Sequence, residues 1–164
     1  SSSGASDVYK RQDCIPAFQK QNSSFLEIPD GDDTKHVEPR SDEALLSTLN
    51  KETGGKATPL IRLLKCWNSE WKKPMKSYLI ERLVAKVFED KKINSWVKGL
   101  RTFFQYTLGL VVDHAFIPEL GEPKRNLLDA YNTSQLNKMK NVLSDSLELS
   151  RDGEWGSIFQ GYWG

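Results

Sequence analysis

PLIRLLKCWNSEWKKPMKSYLIERLVAKVF (Pro59–Phe88) reads as two apolar helices joined by a short basic turn. Thr58-Pro59 is a helix start, a capping hydroxyl followed by proline at the first helical position. Leu60, Leu63, Leu64, Trp67 and Trp71 recur at helical spacing and predict one buried stripe. Arg62, Lys65, Ser69 and Lys72 fall on a separate polar strip. Lys72-Lys73-Pro74 breaks the first helix, and Pro74 can open the second. There Leu79, Ile80, Leu83, Val84, Val87 and Phe88 cover a wide arc, which predicts a central, buried helix. Lys65 lies mid-helix, and Ser77 and Tyr78 open the next helix. A cation, a hydroxyl and a ring brought together can hold a phosphorylated nucleotide, the ring on the base and the other two on phosphate oxygens. Each residue also has a plainer reading. Lys65 can be a snorkelling surface lysine, Ser77 a turn cap, and Tyr78 a core ring with its hydroxyl in solvent.

Upstream of this pair, Asp13-Cys14-Ile15-Pro16-Ala17-Phe18 and Phe25-Leu26-Glu27-Ile28 read as two short strands, stopped by Pro16 and by Pro29-Asp30-Gly31. Two strands alone make no stable sheet, so residues 13–40 are expected to be the remnant of a larger sheet. Ser41, followed by Asp42 and Glu43, can start a helix that Gly54-Gly55 ends. Downstream, Asn94 or Ser95 caps a helix through Trp96, Leu100, Phe103, Phe104 and Leu108. Residues 111–131 read as irregular. Thr133 or Ser134 caps a last long helix, which Asp152-Gly153 stops. The N-terminal SSSGASDVYKRQ is expected to be disordered. Asp7–Gln12 matches what a common sequencing-adapter end encodes, so residues 1–12 read as an assembly scar. The expected fold class is mainly α with a small β remnant, residues 41–164 forming a helical nucleotide-binding domain.

With 164 residues the chain is one domain by length, and its five Trp imply a real core. The net charge of +1 gives no global field, so nothing here is strong evidence for nucleic-acid binding. No apolar run of membrane-spanning length occurs, and residues 1–12 lack the apolar run of a secretory leader, so none is expected there. Cys14 and Cys66 match no metal spacing and read as reduced, buried thiols, which suits a cytoplasmic protein. His36 and His114 define no zinc site. Gly54-Gly55-Lys56 lacks the phosphate-loop pattern. Asp13 opens a strand, where a carboxylate can project into a cleft. Metal-assisted phosphoryl transfer needs two or three such groups.

Taken in order, Asp13–Phe18, Phe25–Asp30, Pro59–Asn68 and Lys76–Glu81 resemble the second half of the bacterial CD-NTases, the cGAS/DncV-like nucleotidyltransferases related to oligoadenylate synthases. The pattern is aspartate-x-hydrophobic-Pro-Ala-Phe, a strand ending Ile-Pro-Asp, an Arg-x-x-Lys-x-Trp-Asn helix and Ser-Tyr-x-x-Glu. The resemblance implies the C-terminal part of a polymerase-β-like core plus its helical domain. It implies that Asp13 is the third metal-binding carboxylate, that Lys65 and Ser77 contact the donor triphosphate, and that Tyr78 stacks on its base. Such enzymes use Mg²⁺ to join nucleoside triphosphates such as ATP or GTP into cyclic or linear oligonucleotide messengers, which bacteria use against phage. The family's Gly-Ser motif and its first two carboxylates precede the third, and none stands in these 164 residues. The chain is therefore expected to be a C-terminal fragment, inactive without the N-terminal half of its catalytic domain. The rival expectation is a non-enzymatic helical interaction module, with Arg62, Lys65 and Lys72 as a docking strip.

Overall fold

A computed structural model describes residues 41–119 and 121–159 of the chain. The two predicted strands, Asp13 and the suspected scar lie outside the described residues. Among those residues the architecture is helical, with no strand and one isolated bridge, Pro118 to Asn126. In chain order, α1 is Ser41–Glu52, α2 Ala57–Glu70, α3 Ser77–Val87, α4 Trp96–Val112, α5 Thr133–Arg151 and α6 Trp155–Ile158. A 3-10 turn, Leu127–Ala130, precedes α5.

α1 ends where two glycines take up left-handed backbone, Gly54 at φ 69° and Gly55 at φ 80°. A residue with a Cβ pays for that conformation and glycine does not. The next helix starts at Ala57 rather than after Thr58, and Thr58 does not cap it. Its first amides are met by side chains at the end of α1 and just past it: Ala57 N–H donates to Thr53 Oγ (3.1 Å) and Thr58 N–H to Asn50 Oδ1 (3.0 Å). Pro59 has no N–H to satisfy.

The predicted stripe of α2 is the core. Leu60, Leu63, Leu64 and Trp67 are all buried, and Trp71, just past the helix, packs partly against them. Every apolar position predicted for α3, from Leu79 to Phe88, is buried as well. Fully burying each such side chain contributes roughly 1.5–3 kcal/mol. Ser95 caps α4 through Lys98 N–H, as one of the two expected caps, and the helix runs past Gly109 to Val112. α5 begins one residue earlier than predicted. Asn132 caps it and Gln135 reaches back to the Asn132 N–H, a reciprocal capping box. It stops at Arg151, just before Asp152-Gly153.

Between α4 and α5, the Asn126 side chain ties residues 115–117 to residues 126–128. Asn126 Oδ1 accepts from Ile117 N–H and Leu128 N–H, and its Nδ2 donates to Ala115 O. Cys66 is buried as expected and is disulfide-bonded rather than reduced. Cys14 lies outside the described residues. No helix among the described residues is long and apolar enough to cross a membrane.

Candidate functional site

The site begins with the turn between α2 and α3. Lys72 (φ 65°) and Lys73 (φ 52°) are left-handed, which costs a residue with a Cβ about 1–2 kcal/mol. Asn68, itself 4% exposed, holds this turn in place. Its Nδ2 donates to Met75 O (2.8 Å), its Oδ1 accepts from Met75 N–H (3.1 Å), and its carbonyl accepts from Lys73 N–H (2.7 Å). From α5, Lys138 Nζ donates to Lys72 O (3.3 Å). Tyr131, just before α5, accepts from Lys76 N–H through its hydroxyl (3.1 Å). Burial raises the Tyr131 phenol above its ordinary value of 10.0, and the Lys76 hydrogen bond opposes that more weakly. The turn is thus clamped from α2 and from the start of α5, and this fixes where α3 begins.

Ser77 is the first residue of α3 and Lys76 its N-cap, with extended backbone (ψ 150°) and no side-chain cap. Pro74 lies in the turn and does not open the helix, because the left-handed pair before it leaves the chain to straighten through Lys76. Ser77 is exposed and Tyr78 half-buried. Glu81 is four residues beyond Ser77 and three beyond Tyr78, so helical geometry puts all three on one side of α3.

Lys65 reaches this side from α2. Its Nζ lies 2.8 Å from Glu81 Oε2, and the two side chains are 27% and 21% exposed. An ion pair so screened from water at both ends holds a more defined geometry than a free surface lysine. Lys65 is thus tied, through Glu81, to the side of α3 whose first turn bears Ser77 and Tyr78. Asp13 lies outside the described residues, so its relation to them is not part of this geometry. Among the described residues no group of three His, Cys, Asp or Glu side chains is placed to hold a metal ion. His114 instead lies 2.8 Å from Asp129 through Nε2, in a pair exposed to solvent.

The single-residue reading misses the partner that Lys65 takes. Glu81 itself stands in the sequence, closing the Ser-Tyr-x-x-Glu pattern one turn beyond Ser77, but its pairing with Lys65 does not. That reading also misses Asn68 and Tyr131, which place the turn. Nothing in composition or periodicity singles out those two, because their bonds join residues as far apart as 68 and 75 or 76 and 131.

The chain is similar to a curated protein of Bacillus cereus named as a probable cyclic nucleotide synthase. The two are 33% identical over 127 residues, covering 74% of this chain and 38% of that protein. The chain thus spans well under half the length of that relative. No protein-family model matches the chain, and no solved structure does.

Proposed function

We propose that this chain supplies the donor-nucleotide side of a nucleotidyltransferase of the CD-NTase kind. The whole enzyme joins nucleoside triphosphates such as ATP or GTP into cyclic or linear oligonucleotide messengers for anti-phage defence in the cytoplasm. The observation that carries this reading is the meeting of Lys65 with the side of α3 whose first turn bears Ser77 and Tyr78. The likeness to a probable cyclic nucleotide synthase points to the same class of chemistry.

In this reading Lys65 and Ser77 contact the triphosphate and Tyr78 stacks on the base. The ammonium supplies charge and the hydroxyl a directed donor, the two things phosphate oxygens ask for. Mg²⁺ would neutralise charge on the reacting oxygens. The described residues do not fit that ion, so its ligands, Asp13 among them, lie elsewhere in the whole enzyme. One aspartate cannot hold two metals, and the 164 residues alone are proposed to bind nucleotide weakly and not to turn it over.

The test is to supply the upstream part of the catalytic domain with its carboxylates. Mg²⁺-dependent synthesis is expected, lost in Asp13→Asn. In the same protein Lys65→Ala is expected to raise the KM for the triphosphate about tenfold or more, the loss of one charge-assisted contact. Full activity in Asp13→Asn would remove the metal role. An unchanged KM in Lys65→Ala would remove the phosphate role.

A further inference from the structure

We propose that Glu81 is a positioning residue for Lys65, and that its charge sets how tightly the site holds a triphosphate. This rests on the reading of Lys65 as a phosphate contact. The Glu81 carboxylate is 2.8 Å from the Lys65 ammonium, and both side chains are partly buried. A lysine stem carries large rotamer entropy. Fixing it beforehand on the side of α3 that bears Ser77 and Tyr78 spares an incoming nucleotide that ordering cost.

The same carboxylate also works against the ligand. Two oxygens that each touch one ammonium at hydrogen-bond distance lie within about 6 Å of each other. Carboxylate and phosphate therefore repel across a site where neither is fully screened. Glu81 thus aligns the lysine and weakens the anion's hold at once. The repulsion grows with the charge of the ligand, whereas the alignment does not depend on it.

Two substitutions separate the effects. Glu81→Gln keeps a carbonyl oxygen that accepts from Lys65 and removes the charge. Glu81→Ala removes both. Equilibrium titration of the 164-residue chain with ATP and with GTP is expected to give three- to tenfold tighter binding for Glu81→Gln than for wild type. Glu81→Ala is expected to bind at least threefold more weakly than Glu81→Gln. The gain in Glu81→Gln should shrink from ATP to ADP to AMP, and again as salt is raised. A role confined to stability predicts neither trend. Equal affinity in the two variants overturns the positioning role, and a gain that is the same for ATP and AMP overturns the charge role. Wild-type binding that Lys65→Ala abolishes, but that neither Glu81 variant changes, overturns the whole inference and leaves the nucleotide site standing. No binding of either triphosphate by wild type overturns both.

Discussion

The Trp67 indole is fully buried, and its N–H donates to Ser146 Oγ at 2.8 Å, from α2 to α5. Ser146 is buried as completely as its partner, so no water replaces it. Ser146→Ala leaves the indole N–H without an acceptor, which costs about 1–3 kcal/mol. Urea unfolding checks this, and the cost should largely vanish when Trp67→Phe is the background. Tyr131 gives a different test. Burial raises its phenol above the ordinary 10.0. Above about pH 10 the unfolded chain gives up this proton before the folded chain does. The folded state then binds more protons, so this contribution to stability is complete below that pH and is lost as pH rises through the folded value. Unfolding midpoints measured from about pH 9 to 11 should fall less steeply in Tyr131→Phe than in wild type. Parallel curves would mean that Tyr131 does not report on folding in this range.

Helix starts are where sequence and structure part. The sequence reads Thr58 as the cap of α2 because a hydroxyl before proline is a strong local signal. The amides are met instead by Asn50, in the helix before, and Thr53, just past its end, across the Gly54-Gly55 turn. Thr53 is buried, and its Oγ also donates to Leu49 O at 2.9 Å. Thr53→Val should therefore cost about 1–2 kcal/mol, as loss of a cap does, while Thr58→Ala should stay within about 0.5 kcal/mol. A larger cost at Thr58 would restore the local reading. The same logic explains the rest of what is legible. The apolar stripes of α2 and α3 follow from 3.6-residue periodicity, which burial enforces position by position, and each predicted core residue from Leu60 to Trp67 and Leu79 to Phe88 is buried. Lys65, Ser77 and Tyr78 can be named from their chemistry and spacing. That Lys65 is tied to Glu81 cannot, because it depends on how α2 and α3 are set against each other. That angle comes from Asn68, Tyr131 and two left-handed lysines, through contacts that no local pattern encodes.

At the scale of the whole molecule, contacts distant in sequence bind the helices into one unit. Trp67 in α2 meets Ser146 in α5, and Arg101 in α4 donates to Ser150 O at 2.8 Å. Trp71 donates through its indole to Ile158 O at 2.9 Å, fastening α6 back onto the end of α2. Trp67, Phe103 and Phe104 meet at the centre in edge-on and tilted contacts, with ring centroids 5.2–6.3 Å apart. No helix here buries its apolar face without the others, so none should melt alone. Urea unfolding followed by tryptophan fluorescence and by far-ultraviolet circular dichroism should then give superimposable transitions. Fluorescence reports on the α2–α5 centre through Trp67 and on the α6 seam through Trp71 and Trp155, whereas dichroism reports on every helix. Phe104→Ala tests the coupling: emptying the centre should cost about 3–5 kcal/mol and shift both transitions together. If α6 were a separate unit, the fluorescence change would split and dichroism would follow only its later part. The nucleotide reading depends on the outcome. Lys65 and Glu81 sit on the seam of α2 and α3, and the turn that sets that seam is pinned from the start of α5. A site assembled from three helices keeps its geometry only while all three unfold as one.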